Sequence, residues 1–310
     1  ASRAATTGLP MDNRDFTTAV AGNGSGPHTH GEGPVGTLIA IGGAEDKPPN
    51  REVLTRVLAH APADNKTVAV IATASQIPEE VLPAYQEVFK RLGATDVYPL
   101  DVQERTAAKD PQTCEAVRKA GVIFFTGGDQ LRLTYVLGGS PLLQAVRERY
   151  HAGAVLAGTS AGAVALSSTM IYNGSAADAL RKGAVKMSNG LGFVDGVVID
   201  SHFLERGRFT RLMEVGATNP EYLGLGLGED AGVIFHNGGF LEAIGPGHVV
   251  IVDSRDLGSS NVADLDDGEP VAVENVIMHA LIAGHGYDRT TRTYLGADTL
   301  AQRLGERTTA

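Results

Sequence analysis

Tryptophan is missing from the chain, and aromatic residues of any kind make up only 5% of its 310 positions. Platforms for single-stranded nucleic acid are built from stacked aromatic side chains, so recognition of that kind is disfavoured. A basic surplus is missing too. The formal net charge is −10, whereas a duplex-DNA binder carries a basic face; nucleic acid is not an expected partner. With one cysteine, Cys114, no intrachain disulfide can form. Cys114 sits in the helical stretch Thr113–Val117 and is read as a buried small hydrophobe rather than a nucleophile. No apolar run approaches the ~18–20 residues of a membrane span. Residues 1–35 lack the charged start and apolar centre of a secretory leader. No membrane partner is expected, and the cytoplasm is the expected location.

What is present is an ordinary globular balance of 43% hydrophobic and 20% charged residues. Residues 1–35, rich in Gly, Thr, Ala, Asn and Pro, read as a flexible N-terminal arm. His28 and His30 lie in it without further local ligands, too little for a metal site. Order is expected from Gly36, with residues 36–310 forming one α/β domain.

Short unbroken apolar runs alternate with helical spacing. Runs at 37–41, 68–72, 96–100, 122–125 and 154–157 read as strands; 50–61, 79–92, 112–120, 131–138 and 141–152 read as helices. Such strands imply a mostly parallel sheet flanked by helices, with functional residues at the strands' carboxyl ends. Further strands are expected at 196–200, 232–235, 240–244 and 248–252. The last three lie close together and suggest an antiparallel C-terminal extension. Residues 256–275 are acidic and turn-rich, 276–283 are apolar, and 295–310 read as a terminal helix and tail.

The stretch Ala154–Val164 runs an apolar strand into Gly158-Thr159-Ser160-Ala161-Gly162 and then into small residues. This is the pattern of a nucleophile elbow, in which a sharp strand-to-helix turn lifts the serine Oγ above the sheet. The amide of Ala161 would face a developing oxyanion. The alternative is a Gly-rich turn that packs a helix on the sheet. Serine needs a base, and His202 directly follows the strand ending at Asp200, which puts it on the same sheet edge as Ser160. Arg206, Arg208 and Arg211 follow it. Guanidinium forks bind carboxylates bidentately, so the three are candidates for gripping a substrate carboxylate; the alternative is a solvated helix start paired with Glu205 and Glu214. The loop Phe125-Thr126-Gly127-Gly128-Asp129-Gln130 allows close approach of a ligand to backbone amides. It lacks the G-K-[ST] and G-x-G-x-x-G patterns of nucleotide sites.

Together these stretches resemble the cyanophycinases, in the serine peptidase family that also holds aspartyl dipeptidase. The likeness rests on Gly36–Lys47, Phe124–Gln130, Leu137–Pro141, Ala157–Ala163, Met170-Ile171, Asp200–Phe203 and Arg206–Arg208, in one order over residues 36–255. It implies a class-I glutamine-amidotransferase or flavodoxin-like sheet and a homodimer. The implied activity is hydrolysis of cyanophycin, a polyaspartate bearing arginine on each β-carboxyl, to β-Asp-Arg dipeptides, without metal or organic cofactor. Ser160 and His202 take the positions of nucleophile and base, and Asp178 is the candidate triad acid. Gly128 and Ala161 supply the oxyanion amides. Asp129, Gln130, Ser201, Arg206, Arg208 and Arg211 fall where the family binds substrate. Glu229 and Asp230 are read as pairing locally; the alternative is that they meet a substrate guanidinium. One departure stands out: the family pattern Asp-Gln-His-Phe reads Asp200-Ser201-His202-Phe203 here, which leaves the polymer specificity open to another β-aspartyl peptide. Three rivals remain. An α/β-hydrolase esterase shares the elbow but normally carries its histidine near the chain end. An amidotransferase-like binding protein would lack catalysis. A compact aspartyl dipeptidase fits poorly with the residues beyond 255 and the arginine cluster.

Overall fold

A computed structural model of the chain describes residues 36–45 and 52–308; the expected N-terminal arm, with His28 and His30, lies outside them. The first half follows the pattern of its apolar runs. In chain order it contains β1 (Leu38–Ile41), α1 (Glu52–Ala59), β2 (Val68–Ile71), α2 (Pro78–Arg91), β3 (Val97–Leu100), α3 (Pro111–Lys119), β4 (Val122–Phe125), α4 (Gln130–Leu137), α5 (Pro141–His151), β5 (Val155–Thr159) and the single turn α6 (Ala161–Val164). Strands β1, β5, β4, β2 and β3 are parallel neighbours in that order. All of β1, β2, β4 and β5 is buried, which is why these strands are apolar on both faces. One face packs on α1 and α2 through Val53, Leu54, Val57 and Phe89. The other packs on α3, α4 and α5, and Cys114 is buried there. Burial also pushes its thiol pKa up, away from a reactive thiolate. The helix starts are written locally: Asp110 accepts from Thr113 N, Asp129 from Leu131 N and Ser140 from Leu143 N, and Pro stands at the first turn of α2, α3 and α5.

The second half contains β6 (Thr169–Asn173), β7 (Lys186–Asn189), β8 (Val197–Asp200), α7 (Phe209–Thr218), β9 (Leu223–Leu227), β10 (Gly232–His236), β11 (Phe240–Ile244), β12 (Val249–Asp253), β13 (Ile277–Leu281), β14 (Gly286–Asp288), β15 (Thr293–Leu295) and α8 (Ala297–Thr308). The expected three-strand extension divides. Strands β10 and β11 continue the large sheet antiparallel beside β1, followed by β14 and β15. Strand β12 instead lies in a separate sheet of order β13-β12-β9-β8. Its neighbour β9 escaped the sequence reading because Leu-Gly-Leu-Gly-Leu has the look of a loop. The glycine is required by packing: a Cβ on Gly226 would collide with the Phe203 ring. The expected placement of His202 on the edge of Ser160's own sheet is also corrected. Strand β8 pairs with β9, parallel, in the smaller sheet, and the two sheets meet where β1, β5, β8 and β9 end. Among the described residues, no helix is long and apolar enough to cross a membrane.

Candidate active site

The elbow after β5 has a steric cause. A Cβ on Gly158 would lie 2.5 Å from the backbone of Gly162, and one on Gly162 would lie 2.5 Å from the carbonyl oxygen of Phe125. Both glycines let the turn close onto β4. Ser160 itself has φ 51 and ψ −116, a region that β-carbon-bearing residues rarely adopt. His202, at φ 47, and Asp230, at φ 53, share this left-handed strain. Such outliers gather where the surrounding structure holds functional groups in place.

The strained loops bring three side chains into line. Ser160 Oγ lies 3.0 Å from His202 Nε2. On the far side of the ring, His202 Nδ1 lies 2.9 Å from Glu229 Oε1. This carboxylate corrects the expectation for Asp178, which is exposed and does not line the cavity at Ser160. The local pairing read for Glu229 is the one seen, with His202 as its partner. Glu229 directly follows Gly228 at the end of β9, so the missed strand concealed this carboxylate. The neighbouring Glu205 steadies it, accepting from the Glu229 amide at 3.1 Å.

Ser160 opens into a cavity of about 220 Å³ whose lining is mostly polar. Gly128, Ala161, Gln130, Ser201 and all three arginines line it. The side chains are not equally available. Asp200 is 1% exposed; it accepts from Arg208 Nη1 at 2.9 Å and pairs with Arg211 Nε at 3.0 Å. Arg208 also donates to the Ser201 carbonyl, and Arg211 to that of Gly174. Burial pushes the Asp200 carboxyl up, against the pull of Arg211 and Arg208. Burial likewise lowers Arg211, and Asp200 opposes this. The arginines thus do not pair with Glu205 or Glu214, the latter being used by the amides of Leu180 and Val185. Arg206 is exposed at the cavity mouth. Three guanidiniums against one carboxylate leave the cavity positive, suited to a carboxylate-bearing ligand. Gln130 lines the same space but donates its amide to the Ile171 carbonyl at 2.9 Å. Asp129 is corrected: its carboxylate caps α4 and does not line the cavity.

With that geometry in hand, the sequence model of Peptidase family S51 matches residues 38–243. The chain belongs to this family. The S51 span contains Ser160, His202, Glu229 and the three arginines. Among curated relatives, a cyanophycinase of Geminocystis herdmanii is 38% identical over 82% of this chain and 94% of its own length. One of Trichormus variabilis is 36% identical over 84% and 88%. The crystal structure of a peptidase from an acI-B1 Actinobacterium shares the fold, with TM-score 0.62 and 22% identity over 82% of this chain and 97% of that one.

Proposed function

We propose that this S51 chain is a serine-type exopeptidase that hydrolyses cyanophycin to β-Asp-Arg dipeptides through an acyl-enzyme. The observation that carries the reading is the line from Ser160 Oγ through the His202 ring to Glu229, standing at a cavity lined by arginines. His202 Nε2 takes the Ser160 proton as Oγ bonds the backbone carbonyl carbon. The carbonyl oxygen becomes an oxyanion facing the amides of Gly128 and Ala161. The imidazolium then gives its proton to the leaving nitrogen, and the C–N bond breaks. Water, deprotonated by the same ring, then adds to the acyl carbon; the Oγ–C bond breaks, Ser160 Oγ takes the proton back from the imidazolium, and the acyl group leaves as a carboxylic acid. Glu229 holds the imidazole in the tautomer that leaves Nε2 free to accept. Arg206, Arg208 and Arg211 bind an aspartyl carboxylate, with Asp200 fixing the last two. The large sheet's parallel half is read, in the same proposal, as the class-I glutamine-amidotransferase arrangement. The curated relatives called cyanophycinases support the substrate.

The test is incubation with insoluble cyanophycin. Dipeptide release by the wild type and by Cys114→Ala, abolished in Ser160→Ala, is the expected result; release by Ser160→Ala overturns the reading. A second reading, another β-aspartyl peptide, is favoured by Ser201, which is 4% exposed at the cavity wall and too short to span the reach of a glutamine without water. Turnover of isoaspartyl dipeptides but not of the polymer selects it.

A further inference from the structure

Ser160 and His202 come from different sheets, so no strand ladder sets their separation. The chain leaving β1 does so. The Ile41 carbonyl accepts from the Ser160 amide at 2.9 Å, that of Gly42 from the His202 amide at 3.0 Å, and that of Gly43 from the Asp230 amide, next to Glu229, at 2.8 Å. Three successive carbonyls thus hold the three loops of the triad.

The next residues add side-chain control. Gly43 has φ +112, and a Cβ there would lie 2.7 Å from His202 Nε2, the nitrogen that meets Ser160. Any side chain would displace the ring, and a left-handed φ opposes one besides. Ala44 continues the turn at φ 55. Glu45 then points inward, 2% exposed. Its Oε2 accepts from the Thr159 hydroxyl at 2.7 Å, and its Oε1 from the Tyr85 hydroxyl at 2.5 Å. Thr159 is 2% exposed and immediately precedes Ser160. A buried carboxylate is kept only where partners answer it, and one partner of this carboxylate sits beside the nucleophile.

We propose that the turn from Ile41 to Glu45 is the template that sets the nucleophile–base distance, with Gly43 and Glu45 as its positioning residues. This rests on the reading of Ser160, His202 and Glu229 as a hydrolytic triad. Neither positioning residue lines the substrate cavity, so the effect falls on turnover rather than binding.

The experiment compares Thr159→Val, Glu45→Ala, Glu45→Gln and Gly43→Ala. The readouts are the rate of Ser160 phosphonylation by a fluorophosphonate, kcat and KM on a soluble β-aspartyl peptide, and Tm. In Thr159→Val, Glu45→Ala and Gly43→Ala, kcat and phosphonylation should fall together by about tenfold or more, with KM within about twofold of wild type. Glu45→Gln, which keeps an acceptor for Thr159, should recover much of the loss. A role in stability alone would lower Tm and leave both rates of the folded protein unchanged. Should Gly43→Ala not fold, the isosteric Thr159→Val carries the test. Wild-type rates in both Thr159→Val and Glu45→Ala overturn the proposal. If those rates are normal while Ser160→Ala is inactive, only the template fails; an active Ser160→Ala removes the triad reading itself.

Discussion

Glu229 reaches Nδ1 of His202, 2.9 Å away, from a loop 27 positions further along the chain. In the proposed mechanism this bond fixes the imidazole tautomer. Glu229→Gln keeps the shape but presents an amide to the ring, and kcat should fall by about two to four orders of magnitude. Asp178→Asn should match wild type. Steady-state kinetics of the two variants side by side checks both outcomes; a large loss in Asp178→Asn would restore the acid expected from the resemblance.

Arg208 shares its guanidinium between Asp200 and the cavity. In Arg208→Ala the KM should rise by about tenfold or more as the substrate carboxylate loses its fork. Asp200 keeps Arg211, so the fold should survive. Asp200→Asn leaves two guanidiniums facing each other in a buried setting and should cost roughly 3–5 kcal/mol of stability. Urea unfolding together with KM separates these effects.

A Cβ on Gly162 would stand 2.5 Å from the Phe125 carbonyl oxygen at the end of β4. Gly162→Ala must move either the elbow or Phe125, at a cost of about 1–3 kcal/mol, and it should slow phosphonylation of Ser160. A variant with unchanged Tm and unchanged labelling would show that the close approach is dispensable.

Glu242, in β11, accepts from His236 Nε2 at 2.8 Å and pairs with Arg56 of α1. Burial alone would raise its carboxyl, but the His236 hydrogen bond and the Arg56 charge outweigh it, and the carboxyl lies below its ordinary value. Unfolding removes these partners, so the unfolded chain takes up the proton at higher pH. The stabilisation is therefore complete above the ordinary value near 4.5 and is lost as pH falls through the lower folded value. Glu242→Gln should lower Tm at neutral pH and flatten the acid limb. Calorimetry between about pH 3 and pH 6 reads the slope.

The sequence alone carried the parallel half of the fold, because a buried strand, an amphipathic helix and a nucleophile elbow are each written within a few residues. The apolar run 68–72, the helical spacing of 79–92 and the elbow Gly158–Gly162 needed no distant partner to be read. Ser160 and His202 were legible for the same reason, each standing just past an apolar run. Only the tertiary structure decided which carboxylate serves His202 and how Asp200 divides the arginines. Strand β9 carries Glu229 to the ring because it pairs with β8, and that pairing joins segments whose local patterns do not refer to each other. Hydrophobic periodicity reports which face of an element is buried; it is silent on which element lies alongside, and the distance from imidazole to acid is set by that neighbour.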